Sequence, residues 1–391
     1  MMDISYTESE RAFQKEAASY LRSIMSPELV KDFSTSTFGR DVYRSVLAQV
    51  GRDGWLVRGW PRGFGGQDGS AIEQYIFYNE ARKASLPLPY LTINSVAPAI
   101  MRYGSAEQKA ELLPRIARGD VVFGIGYSEP DAGTDLAALS TSAKRDGEDY
   151  VINGQKTWTS LAHLADYIWL AARTSRTTKH EGISMILVPT TAAGVLITPI
   201  ETIGDYRTNA IYFDDVRVPL SSRVGEEGQG WNIIRSQLDF ERVALSNPGY
   251  IEAQLREVHR WARETVRADG SRPIDEARVR TGIAKAYAIH EALKLLNWKL
   301  AAAIQTDQVT AENASTVKVY GTERSLDAYQ LLMDVLGEDG YVKSLSGAAV
   351  IRTDLEKAYR RDLTFTFGGG ANEVQRQIIA RQRIAATTGD G

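Results

Sequence analysis

Tyr127-Ser128-Glu129-Pro130-Asp131-Ala132-Gly133-Thr134-Asp135 is the stretch on which the fold turns. Taken alone it is turn chemistry, because Ser-Glu-Pro and Asp-Ala-Gly are good loop formers. Its place in the chain gives it meaning. Upstream the texture is helical. Ser5 to Glu10 offer capping groups and early acids, and Phe13, Ala17, Leu21 and Met25 then recur every four residues. Residues 40–50, 72–84 and 106–117 read as further helices, while Gly59-Trp60-Pro61-Arg62-Gly63-Phe64-Gly65-Gly66 is too rich in Gly and Pro for regular structure. Downstream, from about Val121, Tyr150-Val151-Ile152-Asn153-Gly154-Gln155-Lys156-Thr157-Trp158 sets Asn-Gly between apolar stretches, which predicts a hairpin. Residues 167–172, 183–188, 196–200 and 210–213 read as short strands of a small antiparallel sandwich or barrel. After Gly225-Glu226-Glu227-Gly228-Gln229-Gly230 the helical texture returns over 231–265, 274–305, 311–336, 345–358 and 372–385. Asp269-Gly270-Ser271-Arg272-Pro273 interrupts it. The expectation is an α+β chain in three parts: helical over 1–120, an antiparallel β domain over 121–230, and a helical bundle over 231–391.

Composition narrows the function. The 391 residues are 43% hydrophobic and 24% charged, as in ordinary globular proteins. Lysines and arginines number 46 against 49 acids, a near-neutral balance that argues against nucleic-acid binding. No apolar run approaches the ~18 residues of a membrane span. The start, Met1-Met2-Asp3-Ile4-Ser5-Tyr6-Thr7-Glu8, is acidic and polar where a secretory signal is basic and then apolar, so the cytoplasm is the expected compartment. Cysteine is absent, which excludes disulfides and thiolate chemistry. His163, His180, His259 and His290 lie far apart, so no metal site is expected. Any hard redox chemistry in this chain would therefore fall to an organic cofactor.

Four segments in order carry a resemblance. They are the 127–135 stretch, Asn153 to Ser160, Phe213-Asp214-Asp215-Val216-Arg217-Val218-Pro219, and Asn372-Glu373-Val374-Gln375-Arg376-Gln377-Ile378-Ile379-Ala380-Arg381. Set in a helix–sheet–helix texture, they resemble the acyl-CoA dehydrogenase signature. Gly59-Trp60-Pro61 and Thr366-Phe367-Gly368-Gly369-Gly370 look most like the actinobacterial steroid side-chain enzymes. The resemblance implies FAD-dependent oxidation of an acyl-CoA thioester to its α,β-enoyl form. A base takes the α-proton while flavin N5 accepts the β-hydrogen as hydride. The chemistry explains the residue types independently. An unactivated C–H needs a carboxylate within reach and an acceptor held opposite, and the thioester oxygen needs donors in a water-poor site.

Carried over residue by residue, the resemblance implies flavin contacts at Tyr127, Ser128, Gly133 and Thr134, some of them shared with the pantetheine arm. It places Trp158 against the flavin ring and Ser160 near its N5. The base usual in the C-terminal segment is absent, because Gly369 stands there. A smaller group resembling isovaleryl- and long-chain enzymes uses a Glu-Arg pair on a long helix, and Leu238-Asp239-Phe240-Glu241-Arg242 supplies it. Glu241 is thus the expected base, with Asp239 and Arg242 positioning the thioester; the bland alternative is a solvated helix face. Phe367, Gly368 and Gly369 are implied at the flavin and Gly370 at the substrate, where small residues permit close backbone approach.

Two segments depart from the family. The Arg-x-x-Phe-Gly stretch that holds a neighbour's FAD has become Ala268-Asp269-Gly270-Ser271-Arg272-Pro273-Ile274. The usual flavin segment has become Leu336-Gly337-Glu338-Asp339-Gly340, which keeps Gly337 and Gly340 as flavin contacts but adds two negative charges. The charges would repel a diphosphate if they pointed inward. Steroid-type relatives are heterotetramers of two different dehydrogenase chains, so a homo- or heterotetramer is expected, with electron-transferring flavoprotein as acceptor. The resemblance implies branched or steroid side-chain thioesters as the expected substrates. A carrier-protein thioester, a cofactor-completing subunit without turnover, and a flavin oxidase or monooxygenase stay open.

Overall fold

The computed structural model describes residues 6–33, 39–175, 179–245, 247–306, 308–343 and 355–388, and the side chains of all of these except 238–245 and 385–388. The N-terminal part comprises α1 (Glu8–Ile24), α2 (Pro27–Phe33), α3 (Arg40–Arg52), α4 (Ala71–Lys83), α5 (Ala97–Tyr103) and α6 (Ala106–Ala117). A single π-helical segment, Thr92–Val96, runs into α5. Three of these helices start at capping boxes, Thr7 with Glu10, Ser70 with Glu73 and Ser105 with Gln108, which satisfy the otherwise unpaired first N–H groups. The four-residue apolar spacing in α1 buries Phe13, Ala17 and Leu21, with Met25 just beyond. α2 buries nothing, so it had no periodicity to announce it.

The middle part is one eight-stranded sheet of β1 (Phe123–Gly126), β2 (Ser142–Asp146), β3 (Asp149–Lys156), β4 (Tyr167–Arg173), β5 (Ile183–Pro189), β6 (Val195–Glu201), β7 (Arg207–Pro219) and β8 (Arg223–Val224). Strands run in the order β6-β7-β3-β2-β4-β5-β8, with β1 paired to β4. Pairing is antiparallel except for β1 with β4 and the single β2–β4 contact, which are parallel. β4 shows how the sheet joins two cores. Ile168, Leu170 and Ala172 pack with Ile152, Ile186 and Ile211 inside the β part, while Trp169 and Ala171 on the opposite face join the N-terminal helices.

The expected hairpin at Asn153-Gly154 is corrected. The turn between β2 and β3 falls at Gly147-Glu148, with Gly147 at φ 60 and Asp146 opposite Asp149. Asn153 and Gly154 lie inside β3 at a register shift against β7. There the Asn153 amide donates to Asp215 Oδ1 at 2.8 Å, and a Cβ on Gly154 would come within 2.6 Å of Thr141 Oγ1. The dipeptide therefore makes a bulge.

The C-terminal part comprises α7 (Gly230–Leu245), α8 (Gly249–Glu264), α9 (Ala277–Gln305), α10 (Ala311–Leu336), α11 (Leu355–Asp362) and α12 (Asn372–Thr388). The single helix expected over 231–265 is two, because Pro248 disfavours helical geometry at the residue before it and stands as the N-cap of α8. Of the segment expected to be helical over 345–358, only the last residues belong to the described α11. Ile251, Val258, Val279, Leu293, Tyr329 and Leu332 anchor this core. Among the described residues no helix is long and apolar enough to cross a membrane, and no cluster of metal-ligating side chains occurs.

Candidate active site

The 127–135 loop is fixed by a buried ion pair. Glu129, 6% exposed, accepts from Lys156 Nζ at 2.8 Å, from the Ser140 N–H at 2.7 Å and hydroxyl at 2.8 Å, and from the Thr141 N–H at 2.8 Å. Lys156, fully buried at the end of β3, also donates to the Tyr127 carbonyl at 2.9 Å. Burial alone would raise the Glu129 carboxyl; the Lys156 ammonium and the surrounding donors outweigh it and hold it at about 2. With Thr157 N–H donating to the Ser128 carbonyl at 2.9 Å, the loop is pinned to the strand that leads to Trp158. Ser128 is then half-buried and Gly133 and Thr134 exposed, and a Cβ on Gly133 would meet nothing within 4 Å.

Trp158 stands just past β3 with φ 61, in the left-handed region that costs a bulky residue energy, and it is 60% exposed. The backbone here is clasped by Asn209 of β7: Thr159 N–H donates to its carbonyl at 2.9 Å, and its amide returns a bond to the Thr159 carbonyl at 2.9 Å. Ser160 shares a hydrogen bond with the half-buried Tyr206. His163 lies 3.3 Å from the Asn209 amide; burial, aided by Arg207, pushes it down to about 4, so it stays neutral at neutral pH.

A second buried network ties four segments together. The Tyr127 hydroxyl donates to Gln237 Oε1 at 2.5 Å, and Trp169 Nε1 donates to the same oxygen at 3.0 Å. The Gln237 amide donates to Ser95 Oγ at 2.5 Å. Gln237 lies on α7 one helical turn before position 241. Asp239, Glu241 and Arg242 fall on that helix, and their side chains lie outside the described residues.

The glycine segment is clamped from α10. Lys318, fully buried, donates to the Gly370 carbonyl at 2.6 Å and to Asn372 Oδ1 at 2.7 Å. The Asn372 amide in turn donates to Thr322 and to Glu323 Oε1 at 3.0 Å. Gly369 and Gly370 take φ 67 and 100, conformations that suit glycine, and Phe367 is 64% exposed. Gly337 and Gly340 are not brought here. They sit at the far end of α10, where Gly337 ends the helix at φ 68 and a Cβ on Gly340 would clash with the Met333 carbonyl. Glu338 there is exposed and Asp339 half-buried.

Glu129, Lys156, Gln237 and Lys318 are the residues that sequence reasoning left unnamed. Glu129 and Lys156 sat within the quoted motifs, so their pairing was findable. Gln237 and Lys318 gave no signal beyond a polar residue on a helix.

Comparison with known proteins places this geometry. The acyl-CoA dehydrogenase N-terminal, middle and C-terminal domain descriptions match residues 7–120, 124–216 and 228–384. Acyl-CoA dehydrogenase FadE26 of Mycobacterium tuberculosis is 50% identical over 388 residues, covering 97% of both chains. Acyl-CoA dehydrogenase FadE29 of the same organism is 42% identical over 381 residues, again covering 97% of both. The ChsE4-ChsE5 complex from M. tuberculosis superposes with a TM-score of 0.91 at 51% identity, covering 97% of each chain. The Tcur3481-Tcur3483 steroid ACAD superposes at 0.92 with 40% identity, covering 98% of this chain and 99% of that one. Sequence, fold and loop geometry agree that the chain belongs to the acyl-CoA dehydrogenase family, with steroid acyl-CoA dehydrogenases among its relatives.

Proposed function

We propose that this chain dehydrogenates an acyl-CoA thioester between Cα and Cβ, with FAD as its cofactor and a branched or steroid side-chain acyl group as its preferred substrate. The observation that carries the reading is Trp158, a bulky residue held in strained backbone and left exposed beside a positioned Ser160. Such strain persists where the surroundings over-determine it, commonly at ligand sites.

The residues fit a flavin. An exposed indole offers a stacking face, Gly133 leaves room above the 127–135 loop, and the exposed Phe367 and positive-φ glycines let backbone approach a ligand closely. Tyr127, Ser128, Gly133, Thr134, Trp158, Ser160, Phe367, Gly368 and Gly369 would hold it, and when bound it supplies the acceptor for the β-hydrogen. Glu241 takes the α-proton onto its carboxylate. Gln237, pinned at both ends of its amide, fixes the turn of α7 before Glu241. Gly370 lies at the thioester and Lys318 fixes its carbonyl, while Asp239 and Arg242 orient the pantetheine arm. A glycine at 369 and a glutamate at 241 form a consistent pair, since one base suffices and the glycine leaves space for a bulky acyl group. Electron-transferring flavoprotein is the acceptor this reading implies, and a carrier-protein thioester meets the same chemistry.

The second reading is a subunit that completes a partner's cofactor site. The position of Gly337 and Gly340 at the opposite end of α10 from Lys318 favours a site shared between chains, as does similarity to a ChsE4-ChsE5 complex. A heterotetramer with a second dehydrogenase-like chain accommodates both readings. The test is the visible spectrum of the chain purified alone, then with anaerobic addition of an acyl-CoA panel. A flavin band bleached by branched or steroid thioesters supports the first reading. A colourless protein that becomes active only with a partner, and stays fully active as Glu241→Gln, would establish the second.

A further inference from the structure

Beside the groups assigned above, the fold holds an unbalanced pair of half-buried guanidiniums. Arg82 of α4 donates to the Tyr250 hydroxyl at 2.8 Å and lies over the Tyr90 and Tyr250 rings at 4.1 and 4.8 Å. Arg361 of α11 lies over the same Tyr250 ring at 4.4 Å and donates to Asp362 Oδ1 at 2.8 Å. Asp362 also accepts from Tyr329 at 3.0 Å. The cluster thus holds two cations to one carboxylate. Arg82 Nε and Arg361 Nη2 are buried donors with no partner. Charged donors held away from bulk water favour an anionic acceptor, which these two N–H groups are placed to bind.

A cavity of about 20 Å³ lies within the cluster, its wall formed by Arg82, Tyr250, Tyr329 and the Asp362 carboxylate together with Asn247, Thr322 and Ser325. That volume admits one small polar group and no acyl chain. Four of its walls are hydroxyls, unlike the apolar lining that suits a hydrocarbon terminus. Thr322 lies one turn beyond Lys318, Phe365 also lines the cavity two residues before Phe367, and Asn247 and Tyr250 follow the helix that carries Glu241. The cavity therefore lies among the elements that carry the proposed active site. Tyr250 reports the local field: burial pushes its phenol up, yet Arg82 and Arg361 together bring it below the ordinary tyrosine value. Because its oxygen accepts from Arg82, its own proton remains available to a ligand.

We infer that Arg82, Arg361 and Tyr250 form a receptor for a carboxylate, carried on the acyl group of the substrate at the end remote from the thioester. A carboxylate is planar, matches guanidinium donors and supplies the negative charge the cluster lacks. Its assignment to the acyl group rests on the acyl-CoA reading; a free small carboxylate shares the chemistry, and the experiment separates the two.

The flavin-loaded assembly is assayed with dicarboxylyl-CoA thioesters of increasing length, each paired with the methyl-ended thioester of equal length. Wild type, Arg82→Gln and Tyr250→Phe are compared, and glutarate binding to the same three proteins is measured by calorimetry. The expected result is a wild-type kcat/KM ratio above one for at least one carboxylated member. Arg82→Gln should lower that ratio about 10- to 100-fold, the worth of a lost charge-assisted hydrogen bond, and Tyr250→Phe by up to about tenfold. A ratio below one throughout the wild-type series overturns the inference, as does a ratio that neither variant moves. Should Arg82→Gln not fold, Tyr250→Phe decides alone. Arg82-dependent glutarate binding with no change in the ratio overturns the acyl-borne assignment and assigns the site to a free carboxylate. If no thioester of either series is turned over, the dehydrogenase reading fails, and glutarate binding alone upholds or refutes the receptor.

Discussion

Lys156→Met is the perturbation that tests how the signature loop is built. The substitution keeps most of the side chain's length and removes the ammonium that bonds Glu129 at 2.8 Å and the Tyr127 carbonyl at 2.9 Å. Breaking a buried pair on one side leaves an uncompensated charge and costs about 3–5 kcal/mol. Three donors remain on Glu129, from Ser140 and Thr141, so the pair itself falls toward the lower end, about 3 kcal/mol. Loss of the bond to the Tyr127 carbonyl adds about 1 kcal/mol. Urea unfolding of Lys156→Met, Glu129→Gln and the double variant forms the cycle, and a coupling of about 2 kcal/mol is expected. The pH dependence supplies an independent check. The Glu129 carboxyl is held at about 2, below its ordinary 4.5, so the folded state binds its proton more weakly than the unfolded state does. Its stabilisation is fully present above 4.5 and is lost as pH falls from there toward 2, and Glu129→Gln should abolish that part of the acid sensitivity. Effects that add to within about 0.5 kcal/mol, with unchanged acid sensitivity, would refute the clamp.

Three further outcomes are expected. Glu241→Gln should lower turnover about 10²- to 10⁴-fold while flavin content and thioester affinity hold, measured by single-turnover bleaching of the flavin band; full activity would place the base elsewhere. Trp158→Ala should leave the unfolding midpoint within about 0.5 kcal/mol of wild type, because the indole is 60% exposed, yet weaken flavin retention on gel filtration. Gln237→Leu removes the acceptor shared by the Tyr127 hydroxyl and the Trp169 N–H and the donor to Ser95 Oγ; because Trp169 Nε1 still reaches the Tyr127 hydroxyl at 3.1 Å, the cost in chemical denaturation should be about 1–3 kcal/mol. Its kcat should fall more than its KM rises, since the turn before Glu241 loses its tether.

The sequence made the order of textures readable because each texture has its own period. The spacing of Phe13, Ala17 and Leu21 translated directly into the buried face of α1. Local signals misled where a distant partner decided the outcome. Asn153-Gly154 is a good turn dipeptide, but Asp215 opposite bonds the asparagine and Thr141 fills the space beside the glycine, so the chain passes straight through. The 231–265 stretch reads as one amphipathic helix, and only the backbone restriction at Pro248 divides it. At the site, the loop glycines and Trp158 were legible through motif. Gln237 and Lys318 were not, because their roles exist only once α7 meets Tyr127 and Ser95, and α10 meets Gly370.

The two glycine segments bear on whether one chain suffices. Lys318, which holds Gly370, and Gly337 lie 19 positions apart on or just beyond α10, about 28 Å along a straight helix. Within one protomer a ligand contacting both segments would have to span that distance. A site shared between neighbouring chains needs each segment only at its own end. The negative charges at 338 and 339 are less of an obstacle in that arrangement, since Glu338 is exposed and Asp339 half-buried, at the end of α10 opposite Lys318. Charge reversal at these two positions then becomes informative. Glu338→Lys with Asp339→Lys should raise flavin occupancy of the co-purified assembly, read from the ratio of visible to ultraviolet absorbance, and leave the chain purified alone unchanged. An increase in the isolated chain would show that the segment faces its own protomer's cofactor after all.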